Sequence, residues 1–264
     1  MKNLNIDLEK LTPFFRKIGL YNPANQFYAK QVRKHQQILA YLPQIMAALN
    51  QLSTKRPIVL VDCGCGKSYL SFILYAYCSN VLKRPVKIIG IDRNPELIRQ
   101  CKATAEALGF SNMHFYAGDL ASVHIDEKID ITYSLHACDA ATDHCIAKGI
   151  NLGARYIFSV SCCQHTNRNK IRKHPLTKLT KHGPYKERLV DMINDSLRAL
   201  LLEHKGYRVK IFEFINTEKT PKNIMLRATI NAAKKQDTES AMSHYKKLTK
   251  LFNIKLKLEE LISI

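Results

Sequence analysis

Ile58-Val59-Leu60-Val61-Asp62-Cys63-Gly64-Cys65-Gly66-Lys67-Ser68 is an apolar run that ends in an acid, with two glycines one residue apart behind it. A continuous apolar run closed by glycine is the pattern of a strand buried on both faces of a parallel sheet. The glycines permit a sharp turn and leave backbone N–H groups bare for a ligand. The Asp62 carboxylate disfavours a phosphate at that turn and suits a cationic or hydroxyl-rich ligand. A phosphate loop, G-x-x-x-x-G-K-[ST], would need its first glycine at position 61, where the chain has Val61. A dinucleotide turn, G-x-G-x-x-G, would need its third glycine where Tyr69 stands. A plain strand-to-helix bend without a ligand is the other reading.

Outward from this stretch, apolar runs alternate with helical patterns. Residues 58–61, 86–91, 113–116, 129–135 and 155–160 read as strands, and 69–82, 95–109 and 140–149 as helices. Pro95 suits a first helical turn and Gly109 a helix end. A helix over 185–204 follows, then strands over 207–215 and 223–230. The link between these two, 216–222, is too short for a helical crossover, so they pair antiparallel. The alternation predicts a Rossmann-like α/β fold, a seven-stranded mostly parallel sheet with an antiparallel last strand and helices on both faces. Residues 1–56 form a helical N-terminal extension, notably 24–42 with Pro43 as a break or kink. Residues 57–231 form the α/β domain and 232–264 a helical C-terminal extension.

With 264 residues, 46% of them apolar, the chain can hold one large α/β domain with additions. No run approaches the roughly 18 apolar residues of a membrane span. The first residues lack the apolar stretch of a signal peptide. A cytosolic setting follows as the expectation, with the eight cysteines as reduced thiols. Their spacing matches no zinc module, and no metal site is expected. Lys and Arg number 41 against 22 acids, a formal charge of +19. Such an excess points to a polyanionic partner, nucleic acid first; a solvated lysine-rich surface is the plainer reading.

Three acids, Asp62, Asp92 and Asp119, end three successive strands, and in an open parallel sheet the strand ends face one crevice. Asp92 stands where a ribose diol is held. Asp119 suits an adenine amino group, and Asp62 an ammonium, directly or through water. With Cys63, Gly64, Gly66, Lys67, Arg93 and Leu120 they describe a pocket for an adenosine ligand with an amino-acid tail and no pyrophosphate. S-adenosylmethionine meets that description.

The segment Val61-Asp62-Cys63-Gly64-Cys65-Gly66-Lys67 resembles the first motif of class I methyltransferases, and the resemblance extends over about residues 55–230. Leu135-His136-Ala137-Cys138-Asp139-Ala140-Ala141-Thr142-Asp143 and Ser159-Val160-Ser161-Cys162-Cys163-Gln164-His165 are similar to the "LHxC…ATD" and "PCCxH" segments of one branch. That branch includes the eukaryotic tRNA acceptor-stem 2′-O-methyltransferases and the glutathione S-transferase C-terminal-domain-containing proteins. The chain departs from it at Ser161, where proline is usual, and at Asp139, where the tRNA enzymes carry glycine. It lacks their zinc-finger spacing.

The resemblance implies acceptor groups after the fourth and fifth strands. His136, beside both cofactor and acceptor, would take or position a hydroxyl proton, with Asp139 next to it; the plainer reading is a capping residue. Thr142 and Asp143 suit a helix start. Cys162, Cys163 and His165 shape the acceptor pocket, form part of a metal set, or supply a nucleophile. Thr220-Pro221-Lys222-Asn223 lies above the same face.

Behind the cysteine pair, Arg168, Lys170, Arg172, Lys173, Lys178, Lys181, Lys186 and Arg188 face a single acid, Glu187. A basic loop beside an acceptor pocket is where a phosphate backbone is gripped. Lys30, Arg33 and Lys34 add charge near Tyr21, Phe27 and Tyr28, which are suited to base stacking. The expected function is S-adenosylmethionine-dependent methylation of structured RNA. The alternatives are methylation of a protein or small molecule, or RNA binding without catalysis. The oligomeric state stays open.

Overall fold

The computed structural model describes residues 12–24, 26, 32–137, 140–161, 167–168, 170–171, 174–216, 223–230 and 237–264; of 12–14, 33, 34 and 136 only the backbone is described. Strand β1 (Ile58–Cys63) is buried at all six positions, as a continuous apolar run requires. It pairs in parallel with β2 (Val86–Asp92) on one side and, on the other, with β4 (Ile131–Ala137). Strand β3 (Met113–Ala117) extends the sheet beyond β2, and β5 (Tyr156–Ser161) extends it beyond β4, both in parallel. Strand β7 (Ile224–Ile230) runs antiparallel between β5 and β6 (Tyr207–Glu213). The seven-stranded order is β3-β2-β1-β4-β5-β7-β6. The chain winds outward from β1 to β3, then crosses back to β4. That reversal opens a crevice at the carboxyl ends of β1 and β4.

Among the described residues the helices are α1 (Thr12–Lys17), α2 (Val32–Leu49), α3 (Tyr69–Ala76), α4 (Pro95–Ala107), α5 (Ala140–Asn151), α6 (Thr177–Thr180), α7 (Gly183–His204), α8 (Thr238–Phe252) and α9 (Lys257–Leu261). Helix α4 starts as its sequence dictates: the Asn94 side chain accepts the N–H groups of Glu96 and Leu97, and Pro95 sits at the first position. The predicted helix over 69–82 is instead α3 followed by one π turn, Tyr77–Val81.

Two apolar layers enclose the sheet. One joins Phe15, Tyr41, Ile45 and Met46 from the N-terminal segment to Phe72, Ile88, Phe115 and Phe158. The other joins Cys145, Leu197 and Leu201 to Tyr245, Phe252 and Leu258 from the C-terminal segment. Both terminal segments therefore pack into the same layers as the central sheet.

Of the break or kink expected at Pro43, the break does not occur: Pro43 lies inside α2. An internal proline costs about 3 kcal/mol through its missing N–H. Here Tyr41, Leu42, Ile45, Met46 and Leu49 are all fully buried on that helix, and each large apolar side chain contributes roughly 1.5–3 kcal/mol, which outweighs the defect. Ahead of α2, Ala24 and Gln26 are not helical: both donate their N–H groups to Asn22 Oδ1, each at 3.0 Å. The remaining residues expected there, 25 and 27–31, lie outside the described residues.

Candidate functional site

After β1 the chain turns through Gly64 and Gly66, both left-handed, with φ of 72° and 54°. The N–H groups expected to be bare are engaged within the protein. Gly64 N and Cys65 N reach the Ile91 carbonyl at 2.8 and 3.0 Å, and Gly66 N reaches Asp92 Oδ2 at 2.8 Å. The reason is register: Cys63 lies opposite Ile91, which sets the end of β2 against the turn. Asp92 Oδ1 accepts the Asn94 N–H at 2.9 Å. Each carboxylate oxygen keeps a second lone pair, so Asp92 can still accept hydroxyls from the cleft it lines.

The acid of β1 plays another part. Asp62 is 5% exposed, and its Oδ2 accepts the Ser68 hydroxyl at 3.1 Å and the Ser71 hydroxyl as well. Ser71 Oγ in turn lies 2.7 Å from the Tyr133 hydroxyl on β4. This buried chain ties β1, α3 and β4 together behind the turn. Burial, with Asp62 nearby, pushes the Tyr133 phenol well up, so it stays protonated.

At the end of β3, Asp119 pairs with Arg93, and its Oδ1 accepts the Ala121 N–H at 3.0 Å. The Ala121 N–H, with Arg93 beside it, holds this carboxyl below its usual range. His144 Nδ1 stands 3.9 Å from Asp119 Oδ1.

Two hollows flank the glycine turn. A cleft of about 290 Å³ is lined by Gly64, Asp92, Arg93, Asp119 and Leu120, and also by Ala137, Ala141 and His144. A smaller hollow of about 210 Å³ is lined by Asp62, Gly66, Lys67, Tyr69, Leu135 and Ile38. Between them they gather the predicted cofactor residues, with two qualifications. The Cys63 side chain is fully buried in the core below and adds no surface to either hollow. Of His136 only the backbone, in β4, is described.

Sequence reasoning missed His144 and Ile38. Ala141 and His144 are three residues apart in the first turns of α5, directly after the strand end at Ala137, a helical-face signal that could have found His144. Ile38 reaches the hollow only because α2 packs over the turn, and no local pattern announces that.

Cys65 lies in the turn and lines the smaller hollow, while Cys63 and Cys101 are buried beside it. Cys101 Sγ lies 3.3 Å from the Gly66 carbonyl. A hydrogen bond with Cys101, then burial, pushes the Cys65 thiol far up. A hydrogen bond with Cys145, then burial, does the same to Cys63.

Asp139, Cys162, Cys163, His165, Arg172 and Lys173 lie outside the described residues, as do Phe27, Tyr28, Lys30 and the 220–222 segment. Asn223 is described; its Nδ2 donates to the Ile215 carbonyl at 3.2 Å and closes the base of the last hairpin. Of the basic residues after β5, Arg168 pairs with Glu187 at 2.6 Å, while Lys170, Lys178 and Lys181 are exposed. Among the described residues no group of His, Cys, Asp and Glu has the arrangement of a metal site. No described helix is long and apolar enough to cross a membrane.

A family model described as a methyltransferase domain matches residues 33–170. No curated protein sequence matches the chain. Among solved structures it is similar to magnesium protoporphyrin IX methyltransferase from Synechocystis PCC 6803 with bound SAH, at 17% identity over 85% of this chain and 100% of that one, TM-score 0.49. It is also similar to a SAM dependent methyltransferase from Aquifex aeolicus, at 15% identity over 85% and 97% of the two chains, TM-score 0.39. A third likeness is to Aeropyrum pernix fibrillarin with natively bound S-adenosyl-L-methionine, at 14% identity over 70% and 74%, TM-score 0.41.

Proposed function

This chain belongs to the methyltransferase-domain family, and on that premise we propose that it transfers the methyl group of S-adenosylmethionine to a structured RNA. The observation that carries the cofactor is the cleft of about 290 Å³ where Gly64, Asp92 and Asp119 converge. Two carboxylates and a turn whose N–H groups are engaged by Ile91 and Asp92 make a poor phosphate cradle. They fit a nucleoside: Asp92 holds a ribose diol, and Asp119, Leu120 and His144 border the base. The smaller hollow, with Lys67 and the Asp62 carboxylate, suits the charged amino-acid tail.

When bound, the cofactor supplies an electrophilic methyl group on a sulfonium. The protein orients the acceptor and controls its proton. We assign that end of the site to His136, Asp139, Cys162, Cys163 and His165, which stand in the sequence at or just after the carboxyl ends of β4 and β5. The RNA reading rests on the +19 charge and on exposed Lys170, Lys178 and Lys181 directly after this segment.

Calorimetry tests the cofactor: micromolar S-adenosylmethionine binding that Asp92→Ala weakens supports it, and no binding at all overturns it. Mass spectrometry of nucleosides from total RNA, with and without the gene, tests the substrate. Loss of one methylated nucleoside is the expected result; an unchanged profile redirects the search to proteins and small molecules.

A further inference from the structure

Past the cofactor cleft, beyond His144, lies a hollow of about 400 Å³ lined by Ala140, His144, Asn167, Lys170, Lys255 and Lys257, among others. Its acids are already engaged. Asp143 takes Arg198 Nε at 2.7 Å and the Leu258 N–H at 3.3 Å, and Glu260 pairs with Lys257 at 2.5 Å. A broader, open hollow of about 720 Å³ follows, sharing Lys170 and Lys255 and adding Lys250, Thr249 and Asn253. The acid there, Glu259, accepts the Tyr245 hydroxyl at 2.9 Å. Lys170, Lys250 and Lys255 thus stand on one surface without an ion-pair partner among the described residues. His144 lines both the first of these hollows and the cofactor cleft, and Lys170 and Lys255 line both outer hollows, so the three adjoin one another as a trough in three parts.

Local structure holds these lysines in place. Asn253 closes α8 in a left-handed conformation, φ 51°, and the chain then runs extended. Ile254, Leu256 and Leu258 are buried while Lys255 and Lys257 alternate outward, the period-two pattern of an extended segment. On the facing side Ile171 and His174 are buried, and the His174 ring lies 5.5 Å from Phe252. The loop that carries Lys170 is thereby anchored to the segment that carries Lys250 and Lys255.

Resting on the RNA reading above, we propose that this trough holds the phosphodiester backbone of the substrate RNA, with Lys170, Lys250 and Lys255 as its phosphate ligands and His144 at the threshold of the cofactor cleft. Three lysines on one surface, two of them lining the hollow next to the donor cleft, supply sequence-independent grip, and backbone recognition of that kind sets register without reading bases. The C-terminal segment is then part of the RNA-binding surface.

The test compares the wild-type protein, the Lys170→Gln/Lys250→Gln/Lys255→Gln variant and a control, Lys17→Gln/Lys83→Gln/Lys102→Gln, on the opposite layer. RNA affinity is measured by fluorescence anisotropy across a salt series on a labelled tRNA. Each phosphate-binding lysine removed lowers the slope of log affinity against log salt by about 0.7 to 0.9, so the trough variant should lose about 2 to 3 from that slope. Melting temperature and S-adenosylmethionine binding should match wild type. A trough variant with the slope of wild type or of the control overturns the trough while leaving the RNA reading in place. Wild-type protein that binds S-adenosylmethionine but no RNA overturns both.

Discussion

Gly66 donates its N–H to Asp92 Oδ2 at 2.8 Å, so the carboxylate that lines the larger cleft also fixes the turn beside it. Asp92→Asn therefore acts twice. Hydrogen bonds to a charged acceptor contribute about 1.5–3 kcal/mol each, and the amide weakens those from Gly66 and Asn94. We expect the ligand-free variant to lose about 1–3 kcal/mol in urea unfolding, besides its loss of cofactor affinity. A purely ligand-binding carboxylate would leave the unfolding midpoint where it is.

Behind the turn, Asp62, Ser71 and Tyr133 form one buried unit. Tyr133→Phe removes a single hydroxyl and should cost about 1 kcal/mol. Asp62→Ala leaves the Ser68 and Ser71 hydroxyls without their acceptor and should cost about 2–4 kcal/mol. The double variant should cost less than the sum, because the residues share a network. Denaturant unfolding of the three proteins checks this, and strict additivity would contradict it.

Arg198, 3% exposed, pairs with Asp143, which also accepts the backbone N–H of Leu258 at the start of α9. Arg198→Met strands a buried carboxylate and should destabilise the protein by about 3–5 kcal/mol. Replacing the deeper-buried carboxylate as well, Arg198→Met with Asp143→Leu, should recover part of that loss, while Asp195, the second partner of Arg198 at 3.2 Å, still loses that ion pair. Limited proteolysis should show the C-terminal segment cut first in the single variant.

The thiols set an alkaline limit. Cys63 and Cys65 are pushed well above the ordinary 9.0 by their partners and by burial, and burial takes Cys78 up to about 12. In the unfolded chain these groups lose protons near pH 9, while in the folded chain they keep them. Their contribution to stability is therefore complete below about pH 9 and declines as pH rises above it. Unfolding midpoints measured from about pH 7 to 11 should fall over the upper part of that range. At about pH 8 iodoacetamide should leave these three cysteines unmodified in the native protein, as read by peptide mass spectrometry.

The fold is legible because its signals are local. Unbroken apolar runs mark strands buried on both faces, and Pro95 and Gly109 punctuate α4. Asp92 and Asp119 are legible as crevice residues for a related reason: a residue that ends a parallel strand lies at the crevice whatever the rest of the chain does. Pro43 misleads because the burial that outweighs its missing hydrogen bond comes from the facing α3 and sheet.

From the chain alone follow the α/β class, the crevice at the strand ends, the acids that line it and the basic excess, since each depends on period, composition or strand polarity. The tertiary structure decided what those groups are bonded to. It engaged the turn's N–H groups with Ile91 and Asp92, sank Asp62 into a hydroxyl network, brought His144 beside Asp119 and set Lys170 near Lys255. Most of these pairings join residues far apart in sequence: the register of β1 on β2 sets the first, the packing of α3 on β1 and β4 the second, and the packing of α5 and the C-terminal segment on the sheet the last two.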